Sequence, residues 1–232
     1  MNKFWYLKRM DLLAEIKEED MKLIDKNSNM ITCDTGSIIY SPEELQNNIY
    51  FLKSGKVQLY KIDPSGKKII YTILKEGEVF GALTGQDKEN FNEYAEALEN
   101  ATLCVVNKDL FFSIVEKNPV IHIKVNKLLG LRVYELEMFI EDLAFKTVSQ
   151  RLIALLKRLH DKFGVKVHDE EGNLVTKINI SLSHHDIANM IGATREATTK
   201  ALDELKKKGI IKTGRKVIYI VDSQKLENLV SA

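Results

Sequence analysis

The sequence has no apolar run that approaches the roughly 20 residues a helix needs to cross a bilayer. Its first residues, MNKFWYLKRM, also lack the apolar centre and the small-residue cleavage site of a secretory signal peptide. These absences argue against a membrane-spanning or exported protein, so we expect a cytoplasmic location and no membrane partner. The length of 232 residues and the 44% hydrophobic content suffice for one large or two modest folded domains.

The sequence has few cysteines, and its histidines lie outside the segment where a barrel enzyme would need them to bind a metal. The two cysteines, Cys33 and Cys104, are too few for the four thiolates of a usual iron-sulfur cluster. We interpret them as small buried side chains, and a redox response at either one stays open. All five histidines lie beyond residue 120, outside the β-rich segment described below. The sequence therefore argues against a metal-dependent barrel enzyme, and we predict no metal site and no catalytic residues.

The near-neutral total charge of +1 conceals an uneven distribution. Residues 146–232 contain 16 Lys and Arg against 10 Asp and Glu, whereas residues 1–145 contain 18 against 23. A basic segment attached to a more acidic one is typical of a nucleic-acid-binding module joined to something else, because neutralising phosphates supplies affinity.

Residues 181–211 contain two short helical patterns joined by a glycine. Ser183 followed three residues later by Asp186 resembles a capping box, and an apolar stripe follows. Gly192 comes just after this pattern, where a residue without a β-carbon readily adopts a left-handed turn. Thr194 can then cap the second helix. We predict a helix-turn-helix here.

The second predicted helix carries polar groups opposite its apolar face. Arginine can contact guanine, glutamate can accept from cytosine, and lysine can meet guanine or phosphate, a combination suited to a helix in the major groove. Two short strands around a cationic glycine turn follow, which predicts a winged helix-turn-helix. The candidate DNA-contacting residues are Ser183, Thr194, Arg195, Glu196, Thr199, Lys200, Lys212, Arg215 and Lys216. The same pattern also fits an amphipathic hairpin with a solvated charged face.

The segment from about residue 28 to residue 110 is rich in short β patterns. Turn signals separate predicted strands at 37–40, 49–52, 57–62, 69–74 and 103–107. Closely spaced short strands of this kind predict a β-roll or sandwich.

A long helix is predicted after Pro119. Its side chains step alternately by three and four residues, the spacing of a coiled-coil seam. The residues of this seam are Asn126, Leu129, Val133, Leu136, Ile140 and Leu143. They could pack on the β domain of the same chain, but we favour dimerisation, because DNA-reading helices usually work in symmetric pairs. A further amphipathic helix is predicted at 147–163.

Three separated blocks of the chain resemble the Crp–Fnr family of bacterial transcription regulators. They are FLKSGKVQLYKIDPSGKKIIYTILKEGEVFG (51–81), DLAFKTVSQRLIALL (142–156) and ISLSHHDIANMIGATREATTKALDELKKKGII (180–211). The resemblance implies an α+β fold in three parts. These are a cyclic-nucleotide-binding-like β-roll with an N-terminal helical segment (1–118), a dimerisation helix (119–145) and a winged helix-turn-helix (146–232). Arg195, Glu196 and Lys200 match the family's base-reading positions, although arginine is common where Lys200 stands.

The resemblance also identifies candidate residues for an effector pocket. In relatives that bind cyclic AMP, a glutamate after a glycine holds the ribose, and an arginine-serine pair holds the cyclic phosphate. The corresponding residues here are Gly81, Ala82, Asn92 and Glu93. All three ligand-holding positions differ, and Glu93 would repel an anionic ligand. We expect an effector other than cyclic AMP; an unknown small molecule, a thiol-based response and regulation by abundance alone stay open, and no cofactor can be named.

The sequence thus predicts a homodimeric, sequence-specific DNA-binding transcription regulator of the Crp–Fnr type that is not an enzyme. Its expected partners are palindromic double-stranded DNA, a second copy of the chain, RNA polymerase and an unknown small-molecule effector. One alternative is a non-metal small-ligand-binding β-barrel protein with a helical protein-interaction module. Another is an adaptor that uses the wing and the helical hairpin on a partner protein.

Overall fold

The computed structural model describes residues 6–8, 10–43, 47–83, 92–169 and 171–230. The chain divides into two compact units, Met1–Glu135 and Leu136–Ala232. Both units combine sheet and helix, which confirms the predicted α+β class. No helix within the described ranges is long and apolar enough to span a membrane.

Eight strands are present among the described residues of the first unit. They are β1 (Ser28–Cys33), β2 (Ile38–Tyr40), β3 (Asn48–Ser54), β4 (Val57–Ile62), β5 (Lys68–Leu74), β6 (Val79–Gly81), β7 (Tyr94–Ala97) and β8 (Ala101–Asn107). They form two antiparallel sheets, in the orders β1-β8-β3-β6 and β2-β7-β4-β5. This arrangement confirms the predicted β-roll.

Strand β3 is buried on both faces because each face packs against a different core cluster. Ile49 and Phe51 join a core cluster that includes helical residues, whereas Tyr50 and Leu52 join a second cluster with strands of the other sheet. Side chains alternate between the two faces of a strand. The continuous apolar run at 49–52 therefore reflects burial on both sides rather than one solvated face.

Three helices complete the first unit and lead into the second: α1 (Glu18–Lys26), α2 (Lys108–Lys117) and α3 (Pro119–Phe145). The Asn107 side chain caps α2. Pro119 begins α3, where its missing N–H costs nothing, and the predicted long helix is confirmed with 27 residues. The boundary between the two units falls within α3, after Glu135. Of the expected N-terminal helical segment, residues 6–8 are helical and Asp11–Leu13 form a 3-10 turn; residues 1–5 and 9 lie outside the described residues.

The second unit wraps helices around a small sheet. Its elements are α4 (Val148–Phe163), β9 (Gly164–His168), β10 (Leu174–Ile178), α5 (His184–Ile191), α6 (Arg195–Lys207), β11 (Ile211–Gly214), β12 (Val217–Ile220) and α7 (Ser223–Val230). The strand order is β11-β12-β10-β9. Thr147 and Gln150 form a capping box at the start of α4, which confirms the helix predicted at 147–163.

The five predicted strands are confirmed, with ends that shift by a few residues. The sequence analysis missed β1, β6, β7, β9 and β10, and also the helices α2 and α7. Strand β6 has only three residues, and β9 lies at a sheet edge with little burial. Neither carries a hydrophobic alternation long enough to be recognised locally. The strand conformation of β6 depends on pairing with the distant β3, and that of β9 on pairing with the next strand, β10.

Candidate DNA-binding surface and effector site

The turn between α5 and α6 is fixed by local contacts. Ser183 and Asp186 form the predicted capping box, since the side chain of each accepts the backbone N–H of the other. Gly192 has a φ of 61°, and a β-carbon there would lie 2.9 Å from Leu143 Cδ2. The left-handed backbone therefore favours glycine, whereas the close contact involves only the flexible end of the Leu143 side chain. The Thr194 side chain then caps the first turn of α6.

The inner face of α6 is small and apolar. Thr198 is fully buried, and its hydroxyl donates to the Thr194 carbonyl at 2.9 Å. Ala201, Leu202 and Leu205 are buried with it. Because these side chains pack in the core, the opposite side of α6 is turned to the surface.

The outer face of α6 holds the predicted base-contacting residues. Arg195, Glu196 and Lys200 are exposed, and together with Thr199 they line a shallow concavity of about 500 Å³. Thr199 is half-buried, and its hydroxyl lies 2.9 Å from Nδ1 of His184 on α5. Three of the four side chains are thus exposed along α6, while the fourth is held by the neighbouring helix.

The hairpin of β11 and β12 forms the wing. Arg215 and Lys216 are exposed in its turn, and Lys216 has a φ of 58°, which is uncommon for a residue with a β-carbon. The Lys216 carbonyl accepts the Leu182 N–H at 3.1 Å. This bond ties the cationic turn to the segment that leads into α5.

Lys212 differs from the other cations predicted to contact phosphate. Its Nζ lies 2.8 Å from Asp169 Oδ2 and 3.3 Å from Glu171 Oε1. The hydrogen bond from Lys212 is the main cause that lowers the pKa of the Asp169 carboxyl to about 2. Lys212 therefore links β11 to the turn between β9 and β10, and its predicted contact with phosphate stays a prediction. The carboxylates come from a distant segment, so the sequence pattern did not reveal them.

Some residues of the predicted dimerisation seam on α3 are exposed, and others pack against their own chain. Three of its apolar side chains are exposed by 55, 44 and 64%, respectively: Val133, Leu136 and Ile140. Asn126 is exposed as well. Leu129 instead packs on the core of the first unit, and Leu143 lies beside Gly192. The six residues therefore do not all face solvent, because Leu129 and Leu143 contact their own chain.

Two of the effector-pocket candidates lie at the end of β6. Gly81 has a φ of 99°, and a β-carbon there would lie 2.5 Å from the Asn48 carbonyl oxygen. Ala82 is buried, and its N–H donates to the same carbonyl at 3.0 Å. Asn92 is exposed. The glycine therefore serves a close backbone crossing that is independent of any ligand.

The fourth candidate, Glu93, is engaged by tyrosines. Its carboxylate accepts hydrogen bonds from the hydroxyls of Tyr40 and Tyr71. Burial, followed by the charge of Glu93, raises the pKa of both tyrosines well above the usual range. Tyr40 also contacts the rings of Tyr50 and Phe80, with centroids 5.4 and 6.1 Å away. An anionic ligand at this place would be repelled by the Glu93 carboxylate. The two tyrosine hydroxyls could not bind the ligand either, because they already donate to Glu93.

The cysteines and the metal-binding residue types form no evident sensor. Burial, with Asp34 as a second cause, raises the pKa of the Cys33 thiol, which reduces the reactive thiolate fraction. Cys104 is buried, and neither cysteine forms a disulfide bond. In the part of the chain that the structure describes, no group of three or more His, Cys, Asp or Glu could hold a metal.

Sequence reasoning missed the partners of three site residues. These pairs are His184 with Thr199, Asp169 with Lys212, and Tyr71 with Glu93. Each pair joins different elements, and no local spacing signals it.

Comparisons with known proteins agree with this architecture. Residues 31–118 match the cyclic nucleotide-binding domain, and residues 150–229 match the Crp-like helix-turn-helix domain. A global nitrogen regulator from Synechocystis is 30% identical over 192 residues, which cover 82% of this chain and 83% of the relative. A CRP-like cAMP-activated global transcriptional regulator from Mycobacterium tuberculosis is 24% identical over 95% of this chain and 96% of its own length.

A solved structure extends the likeness to three dimensions. A mutant of CooA from Carboxydothermus hydrogenoformans superimposes with a TM-score of 0.76 at 25% identity, covering 95% of this chain and 94% of that one. Both domain matches occur in the same order as the two units described above. The chain belongs to the Crp–Fnr family of transcription regulators.

Proposed function

We propose that the chain works as a homodimer that reads a palindromic DNA site. In this proposal 1–118 is the sensory part, 119–145 the dimerisation helix and 146–232 the DNA-binding part, and the chain catalyses no reaction. One observation carries the proposal: Arg195, Glu196 and Lys200 are exposed on α6 close to the wing, and Arg195 and Lys216 line one groove. Regulators of this family bind DNA and small-molecule effectors.

Each exposed side chain has a role that its chemistry supports. Arg195 can donate two hydrogen bonds to guanine, and Glu196 can accept from the amino group of cytosine. Lys200 can reach guanine or a phosphate. Arg215 and Lys216 at the wing tip suit phosphate contacts, which position the protein without reading sequence. Ser183 and Thr194 act mainly as helix caps in this scheme.

A second copy of the chain is the proposed partner of the exposed α3 face. Val133 and Ile140 lie two turns apart on this face and are more than half exposed. Gly130 precedes Val133 by one turn, and a β-carbon added there would meet nothing within 4 Å. Glycine lowers helix stability by about 1 kcal/mol relative to alanine. Because no neighbour in this chain needs the gap, we infer that a second helix approaches at this position.

The proposed effector is a small molecule other than cyclic AMP. The support is the combination of Ala82, Asn92 and Glu93, with the last already holding two tyrosine hydroxyls. The relative from Mycobacterium tuberculosis is named as activated by cyclic AMP, so this chain would differ from it in ligand. RNA polymerase is the proposed protein partner of the DNA-bound dimer.

Selection of duplexes from a random library with the purified chain tests the DNA-reading role. Arg195→Ala should lose roughly 1–3 kcal/mol of binding free energy and relax the preference at one base pair. Lys61→Ala, which removes an exposed cation from the first unit, should leave both unchanged. If Arg195→Ala keeps the affinity and the base preference of the wild type, the proposed role of α6 is wrong.

A further inference from the structure

A cationic groove separates the wing from the start of α5. It has a volume of about 480 Å³, and its charged or titratable lining residues are His184, His185, Arg195 and Lys216. Among the described residues that line it, none is a carboxylate. A groove of this composition suits a phosphate of the DNA backbone.

His184 connects this groove to the outer face of α6. Its Nδ1 lies 2.9 Å from the Thr199 hydroxyl oxygen, and Thr199 precedes the exposed Lys200. In a neutral imidazole one ring nitrogen donates and the other accepts, whereas both donate in the protonated ring. Thr199 can therefore donate to Nδ1 only in the neutral tautomer that carries its proton on Nε2, and it must accept from Nδ1 when His184 is protonated.

We infer that His184 is a positioning residue whose protonation is coupled to DNA binding, an inference that rests on the proposed DNA-binding function. A phosphate in the groove attracts a proton to the imidazole. The protonated ring donates through Nδ1 to the Thr199 oxygen and through Nε2 to the phosphate. The Thr199 hydroxyl hydrogen then turns away from His184 and becomes available to the DNA.

The charged and titratable groups around His184 come from α5, α6 and the wing. Arg195 from α6 and Lys216 from the wing line the same groove, so it carries positive charge before DNA binds. On α5, His185 is a second titratable group, and the Asp186 carboxylate is bonded to Ser183. A bound phosphate adds the negative charge that this side of the groove lacks. DNA affinity should therefore rise as the pH falls through the range in which histidine ordinarily titrates.

The test measures dissociation constants between about pH 8.5 and pH 6 on the duplex recovered by selection. His184→Gln keeps an amide donor for Thr199 but cannot gain a proton. It should match the wild type at high pH and bind roughly three- to tenfold more weakly at pH 6, because each proton taken up changes affinity by at most tenfold per pH unit. His185→Gln and the remote His122→Gln should keep the wild-type pH profile.

Two further measurements make the outcome decisive. In the double variant Thr199→Val, His184→Gln, the losses of DNA-binding free energy should be non-additive, as expected for two contacting residues. Melting curves should show that all variants fold. A pH profile that persists in His184→Gln, or that disappears in His185→Gln instead, overturns the inference while leaving DNA binding intact. Absence of duplex binding by the wild type at every pH would refute the proposed function itself.

Discussion

The carboxylate of Asp142 near the end of α3 lies 2.6 Å from the Arg158 guanidinium of α4. The Lys146 ammonium approaches the same carboxylate at 2.7 Å. Only 2% of the Asp142 side chain is exposed, so these two cations replace the water that the charge has lost. The interaction holds α4 against the end of the long helix, which brings Leu143 next to Gly192.

Removing this buried charge should weaken the second unit. We expect Asp142→Asn to lower its free energy of unfolding by about 2 kcal/mol, less than a fully buried pair would lose, because Arg158 remains 43% exposed. Hydrogen exchange of the α4 amides would measure the loss. Asp161→Asn breaks an exposed pair with Lys157 and should cost less than about 1 kcal/mol. Equal losses in the two variants would contradict this assignment.

The two wing cations should differ in their effect on the salt dependence of DNA binding. Lys216→Asn removes a charge while tolerating the left-handed backbone, and it should flatten the slope of log affinity against log salt by about one. Lys212→Gln should change the slope far less, because Asp169 and Glu171 already compensate that charge. Fluorescence anisotropy over a salt series measures both slopes. If Lys212→Gln changed the salt slope more than Lys216→Asn does, Lys212 would be a direct phosphate contact.

The ion pair between Lys212 and Asp169 should stabilise the wild type relative to Lys212→Gln by an amount that depends on pH. The folded pKa of Asp169 is lowered to about 2 from the ordinary 3.8, so its ionised form is favoured by folding. The resulting stabilisation is present above pH 4 and is lost as the pH falls toward 2. Urea unfolding should therefore separate the wild type from Lys212→Gln at pH 5 and bring the two together near pH 2. A difference that is constant over this range would argue against the ion pair as its source.

Charge on the exposed face of α3 should dissociate the proposed dimer. Ile140→Glu places carboxylates against each other across a symmetric contact, and we expect light scattering to give the mass of one chain. Leu131 is also more than half exposed, but it points away from Val133 and Ile140 around the helix. Leu131→Glu should therefore remain dimeric. A wild-type chain that is monomeric at high concentration would remove the basis for this prediction.

Cyclic AMP should not stabilise the chain. A ligand at 100 times its Kd stabilises the folded state by about 2.7 kcal/mol, so millimolar cyclic AMP that leaves the melting temperature unchanged excludes useful affinity. Tyr71→Phe should destabilise the first unit by roughly 1–3 kcal/mol, since it removes the hydrogen bond of a half-buried hydroxyl to the charged Glu93 carboxylate. Tyr219→Phe, in a half-buried wing residue, serves as the control. A clear rise in melting temperature with cyclic AMP would overturn our expectation for the effector.

The sequence alone predicted the helix-turn-helix because its determinants are local. Ser183, Asp186, Gly192 and Thr194 lie within a dozen positions, and each satisfies or redirects the backbone next to it. The same holds for Thr147 and Gln150 at the start of α4. Local hydrogen bonds and allowed backbone angles form with neighbours that are already present in the chain, so a pattern of residue types is enough to identify them.

Only the tertiary structure decided which polar side chains have partners within the chain. Lys212 contacts a carboxylate 43 residues away, and Glu93 contacts a hydroxyl 53 residues away. His184 lies 15 residues from Thr199 and on a different helix. These contacts exist only after sheets and helices have packed, and packing depends on the sum of many weak apolar interactions spread over the chain. The sequence therefore determined the family and the helix-turn-helix, whereas the fold determined which charged side chains are exposed and which are already paired.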